Sequence, residues 1–309
     1  MSASIVVSNP AMSYAQPPEK STADGKPRHV GVEIEFAGLR GREACRALTS
    51  ALGGTQRERS PHRYVIEGSE LGDLEVELDT KYAHAKDDES STVGQARKLL
   101  GDVAQAVVPY EVITSPLTLD LLPLVDRATD ALREAGALGT MKNPLFAFGV
   151  HLNPEAADLD AGYLIRVLQA FVAMNAEIRQ AIRPDPSRTL LGWAEPYETE
   201  YCRRIMADDY MPDQEALIDD YIAANDGRNY DLDMLPLFAH IDEDRVTRLV
   251  DDPRINARPA FHYRLPDCRI DEKDWSIADD WNRWVAVEEL AADTDALAKR
   301  RQRYLSNAV

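Results

Sequence analysis

Two glutamates one residue apart, Glu33 and Glu35, lie in Gly31-Val-Glu-Ile-Glu-Phe36. The alternation predicts a strand with Val32, Ile34 and Phe36 on one face and the two carboxylates on the other. Like charges about 4 Å apart repel by about 4 kcal/mol at an effective dielectric near 20. A buried pair therefore calls for positive charge between its members, and a divalent cation meets that need. The alternative is a half-exposed strand with its polar face in water, which antiparallel sheets commonly allow.

Other segments repeat the two-faced pattern. In Leu74–Asp79, Leu74, Val76 and Leu78 oppose Glu75, Glu77 and Asp79. In Leu145–Asn153, Phe148, Val150 and Leu152 oppose Gly149, His151 and Asn153, and in Ala260–Leu265, Phe261, Tyr263 and Leu265 oppose His262 and Arg264. Glu111 lies in a less regular strand, because Pro109 and Ile113 share its alternation. The simplest assembly is an α+β fold. A twisted antiparallel sheet carries helices on its apolar face and leaves the other face as a polar basin.

Glu33, Glu35, Asp79, Glu111, His151, Asn153 and Arg264 would then share one space. Four carboxylates, one histidine and arginine form a set for a hard divalent ion that also grips phosphate: Mg2+ takes carboxylate and phosphate oxygens, and arginine offers a fixed fork of donors. Zinc is disfavoured, since no His pair at helical spacing and no Cys pair is present. No glycine-rich phosphate loop occurs either. His151 has a second reading as a core histidine bonded to backbone, and Arg264 as a structural counter-charge for the acids.

Helices must position these strands. Gly41–Leu52 has helical periodicity and stops at Gly53-Gly54. Ser91–Val107 reads as a helix, and Ser115-Pro116 reads as the N-cap and first residue of another that ends at Gly136. Leu159–Ile182 carries an apolar stripe, with Asn175 at its edge as a structural amide or, as the second reading, a side chain that reaches a site. Ser276 to about Leu305 reads as one closing helix with Trp281 and Trp284 in its packing face. Residues 1–27 read as a mobile N-terminal tail, and 28–309 as a single domain with an acidic insertion around 208–244.

The composition, 44% hydrophobic and 28% charged, is that of an ordinary globular domain. A net charge of −18 argues against nucleic acid or anionic membrane as partner, both of which need a positive field. Three dispersed cysteines, and no apolar run or leader pattern, fit a reduced, cytoplasmic setting.

The ordered series Gly31–Phe36, Glu77-Leu-Asp79, Tyr110-Glu-Val-Ile-Thr-Ser-Pro116, Gly149-Val-His-Leu-Asn153 and Tyr263-Arg-Leu-Pro266 resembles the amidoligase family. That family belongs to the carboxylate-amine ligases of glutamine synthetase and glutamate-cysteine ligase fold. The resemblance spans about residues 30–290. It implies a glutamine synthetase-like catalytic domain that uses ATP and Mg2+ (or Mn2+) to form an amide or isopeptide bond through an acyl phosphate. The partners implied are small-molecule or peptide carboxylates and amines, and an assembly of identical chains is compatible with it.

Position by position, the resemblance makes Glu33, Glu35 and Glu111 metal ligands and His151 a metal- or phosphate-facing histidine with Asn153 beside it. It makes Arg264 the stabiliser of the transferred phosphate, and Asp79 the acid that binds or deprotonates the amine. Arg258, in Asn256-Ala-Arg-Pro259, would hold phosphate or a substrate carboxylate. One departure stands out: His262 occupies the place of an acid found in many relatives two residues before the arginine. Two other readings follow from these residues. One is a nucleotide- or peptide-binding protein that keeps the fold without the chemistry. The other is a metal-dependent hydrolase, ranked last because the acids come with arginine and not with a histidine cluster.

Overall fold

The computed structural model describes residues 13–79, 109–143, 146–225 and 227–307. The helix expected at Ser91–Val107 lies outside them. The strands are β1 (His29–Phe36), β2 (Thr55–Ser60), β3 (Arg63–Ser69), β4 (Gly72–Leu78), β5 (Tyr110–Thr114), β6 (Leu117–Thr118), β7 (Val150–Pro154), β8 (Leu232–Asp233) and β9 (His262–Tyr263). They form one nine-stranded antiparallel sheet in the order β2-β3-β4-β5-β1-β7-β9-β8, with β6 paired to β1. With ten α-helices among the described residues, the fold is α+β.

The register sorts the side chains into rows. Val76, Val112, Ile34 and Val150 are cross-strand partners on one face, all at most 1% exposed. One residue on, Glu77, Glu111 and Glu35 form the matching row on the other face. A period of two makes this unavoidable once the apolar row is buried.

The apolar face is covered by α1 (Gly41–Leu52), α2 (Leu122–Ala135), α3 (Ala161–Ile182) and α9 (Ile277–Ala292). Tyr263 of β9 packs edge-on to Phe171 of α3 and against Trp284 of α9. The remaining helices are α4 (Pro186–Leu190), α5 (Thr199–Met206), α6 (Gln214–Ala224), α7 (Leu235–Ile241), α8 (Glu243–Leu249) and α10 (Thr294–Asn307).

Several boundaries differ from those expected; β9 keeps only His262–Tyr263 of the expected Ala260–Leu265. Ser115-Pro116 does not open a helix: Leu117, 2% exposed, pairs beside Val30 in β6, and α2 begins only at Leu122. Burial of Leu117 on the sheet outweighs a good cap. The segment from Phe146 to Gly149 is buried and apolar but joins the sheet through a bridge from Gly149 to Asp267 and a Glu35 N–H bond to the Gly149 carbonyl, without a continuous ladder, so β7 is short. β2, with the sequence TQRERS, lacks an apolar face and forms an exposed, charged edge that no hydrophobic alternation announces. The closing helix is two, because the Asp293 side chain accepts from the Ala296 N–H at 2.9 Å and caps a new start.

Of the expected tail, residues 13–27 are held against the domain. The Tyr14 hydroxyl donates to Asp126 at 2.9 Å, and the Trp281 indole N–H donates to the Ala15 carbonyl at 2.8 Å. Within 208–244, Asp231, Leu232 and Asp233 are buried and β8 completes one edge of the sheet. The Asn175 amide donates to Asp231 at 2.8 Å, in keeping with a structural role.

Candidate active site

The polar face is closed at its centre. Glu35, Glu111, Asp79, His151, Asn153, His262 and Arg264 are all 7% exposed or less. β1 sets their positions: Gly31 faces Asn153, Glu33 faces His151, and Glu35 faces Glu111 across the ladders. Gly149 supplies the close approach, since a Cβ there would stand 2.8 Å from both His151 Nε2 and the Arg188 guanidinium. Its N–H donates to Glu35 Oε2 at 2.8 Å.

Six side chains fall into two groups whose ligand atoms lie within 4.8 Å of one another: Glu35 with Asp79 and Glu111, and Glu33 with His151 and His262. His151 bridges the groups. Its Nδ1 is 3.0 Å from Glu33 Oε2, and its Nε2 is 3.9 Å from Glu35 Oε1. Asn153 donates to Glu33 Oε1 at 3.0 Å and accepts from Arg258 at 2.7 Å, which brings that guanidinium 3.8 Å from the same carboxylate. A cavity of about 730 Å³ opens onto this face, lined by Glu33, Asp79 and Glu111 together with Arg228, Arg254 and Arg258. That volume suits a small-molecule site.

The buried polar atoms without hydrogen-bond partners among the described residues include both ring nitrogens of His262, and Nε and Nη1 of Arg264. Leaving such atoms unsatisfied costs about 1–3 kcal/mol each. Burial, reinforced by Arg264 and Arg258, drives the His262 pKa well below the ordinary histidine value, so the ring is neutral. Burial lifts the Asp233 carboxyl to about 6, against the pull of Arg264. Burial also lowers the Arg264 pKa, with Arg228 adding to the shift and Asp233 and Glu35 opposing it. An apolar isostere would suit these positions better if stability were all that mattered.

All eight residues picked from the sequence converge: Glu33, Glu35, Asp79, Glu111, His151, Asn153, Arg258 and Arg264. Glu33 and Glu35 enter different groups, and Asp79 joins an acid cluster. The sequence reading missed Arg228 and Arg254, which come from loops without a motif, and Asp233, which sits in a two-residue strand beside His262. It also missed Arg188. That side chain, 2% exposed, donates to the main-chain carbonyls of Arg264, Leu265 and Pro266 and to Asp267, so it fixes the backbone that carries Arg264. Only the isolated buried arginine in a short helix could have signalled it.

Among the described residues no helix is long and apolar enough to cross a membrane. No curated protein and no solved structure matches the chain. A family model described as "Putative amidoligase enzyme" matches residues 26–286, and that span takes in β1 through most of α9 with every residue of the basin. The chain belongs to the amidoligase family, a family of ligase-type enzymes.

Proposed function

We propose that the protein is an ATP- and Mg2+-dependent carboxylate-amine ligase. The observation that carries this reading is a polar sheet face, buried at its centre, that holds two sets of cation ligands beside arginines at one cavity. Joining a carboxylate to an amine at the expense of ATP requires two anions, carboxylate and triphosphate, in one pocket. In the first step a substrate carboxylate oxygen attacks the γ-phosphorus and ADP leaves. In the second the amine attacks the acyl phosphate, inorganic phosphate leaves, and the amine gives up a proton to form the amide.

The residues present fit divalent ions. Glu35, Asp79 and Glu111 form an all-oxygen set for Mg2+, and Glu33 with His151 and His262 forms a second set. Bound there, such ions supply charge neutralisation for the phosphates and polarise the transferring group. The protein's own groups do the rest. Arg264 presents unpartnered donors toward the charge that develops on the phosphoryl oxygens, and Arg258, held by Asn153, meets phosphate or the substrate carboxylate. Asp79, lining the cavity, binds or deprotonates the amine.

Incubating the protein with ATP, Mg2+ and a panel of amino acids and amines tests this reading. ADP and phosphate are expected in equal amounts with one carboxylate-amine pair. With hydroxylamine as acceptor, an acyl hydroxamate is expected. Absence of both, together with absence of metal-dependent ATP binding, would overturn it. The replacement of an acid by His262 favours a second reading, a binding protein that has lost the chemistry. ATP binding that survives combined E33Q and E35Q substitution would support that reading.

A further inference from the structure

The two ligand sets differ in kind. Glu35, Asp79 and Glu111 offer only carboxylate oxygens, whereas Glu33, His151 and His262 offer one carboxylate and two imidazoles. His262 is 3% exposed, and neither ring nitrogen has a hydrogen-bond partner among the described residues. Its Nδ1 faces the Asp233 carboxylate at 3.5 Å, and Asp233 is itself fixed by accepting the Leu235 N–H at 2.9 Å. This leaves Nε2 as the nitrogen turned to the cluster. A carboxylate behind an imidazole is the arrangement that orients a metal-binding histidine and raises its basicity. The ring stands edge-on to His151, with centroids 5.1 Å apart.

Mg2+ gains little from imidazole, while Mn2+, Co2+ and Zn2+ accept nitrogen and oxygen together. We propose that the basin holds two chemically unlike cations, Mg2+ at Glu35, Asp79 and Glu111, and a borderline transition-metal ion at Glu33, His151 and His262. Asp233 acts as the positioning residue behind His262. The two histidines come from separate strands, so no sequence spacing reveals the pair. The proposal rests on the reading of the basin as a cation site and stands or falls separately from the ligase reaction.

Equilibrium dialysis of the full chain against Co2+ in excess Mg2+ tests it, with visible absorption recording the ligand field. One Co2+ per chain is expected to survive Mg2+ competition, with ligand-field bands characteristic of nitrogen ligation. H262Q should weaken Co2+ by about 100-fold, and D233N by about 10-fold. H262E should still bind a cation while losing at least tenfold of the preference for Co2+ over Mg2+, with thermal unfolding showing that each variant is folded. Full displacement of Co2+ by Mg2+, an H262Q spectrum like the wild type, or no cation binding at all would overturn the proposal. Co2+ binding as expected with no ATP turnover would sink the ligase reading alone. Turnover in Mg2+ with no His262-dependent selectivity would sink this proposal alone.

Discussion

The two faces of the central sheet are built from the same strands, the apolar one buried throughout and the polar one buried at its centre, and they do opposite things to stability. On one face Val76, Val112, Ile34 and Val150 meet helices, and each gains the free energy of leaving water. On the other face Glu77, Glu111 and Glu35 stand as a row of directly opposed like charges, a destabilising arrangement. The comparison teaches that the apolar face maintains a polar face that would not persist alone. The buried acids Glu111 and Glu35 beside unpartnered arginine donors cost stability and suit the binding of cations that the proposed function requires.

Neighbouring residues on β1 break the comparison most sharply. E35Q combined with E111Q should lower ligase turnover by roughly 10³-fold or more, since several kcal/mol of charge stabilisation are removed. The same change relieves repulsion, so the metal-free protein should melt about 2 °C higher, as about 1 kcal/mol implies for a chain of this size. I34A, one residue away, should cost about 2–5 kcal/mol in denaturant unfolding and leave turnover of the folded protein within a few-fold. If both changes lower stability and turnover alike, the division of labour between faces is wrong.

Two buried arginines sharpen the point within the polar face. Arg188 spends Nη1 and Nη2 on three main-chain carbonyls and Asp267 and leaves Nε alone without a partner, whereas Arg264 has both Nε and Nη1 without partners among the described residues. R188M should destabilise by about 3–5 kcal/mol, because it leaves Asp267 and the carbonyls without their partner. R264M should leave stability within about 1 kcal/mol and abolish phosphoryl transfer. A third measurement is the melting temperature with Mg2+ added. At about 100 times the dissociation constant, binding should add about 2.7 kcal/mol, and E35Q should lose that gain while I34A keeps it.

The apolar face was legible because period-two alternation in β1, β4 and β9 is enforced by burial, and the polar residues of those strands came with it. Glu111 was reached through the family resemblance, because Ile113 blurred its own alternation, and it is the register with Glu35 that sets it in the acid row. Asp233 and Arg188 were not legible, because a two-residue strand and a one-turn helix are fixed by tertiary contacts and not by local pattern. β2 was missed for the same reason in reverse: an edge strand wetted on both faces has no period to read. His262 could be seen as a departure, but its cross-strand partner Asp233 could not.

The weakest predicted effect lies on the apolar side, where the comparison is least clean. Asp280 of α9 is 3% exposed in the helical layer beside Trp281, and burial raises its carboxyl to about 6, against the pull of Arg283, with which it forms an ion pair. Between its unfolded value near 3.8 and about 6 the folded protein binds the extra proton, so this group's contribution to stability falls as pH rises through that window and is level above it. From pH 5 to pH 7 the expected loss is about 1 kcal/mol. Denaturant midpoints of wild type and D280N across that range isolate it. The variant should lack that part of the decline, and turnover of folded enzyme should follow the same pH profile in both. A change in the shape of the turnover profile would mean that the helical layer titrates with the site, and that the two faces are coupled across the sheet that separates them.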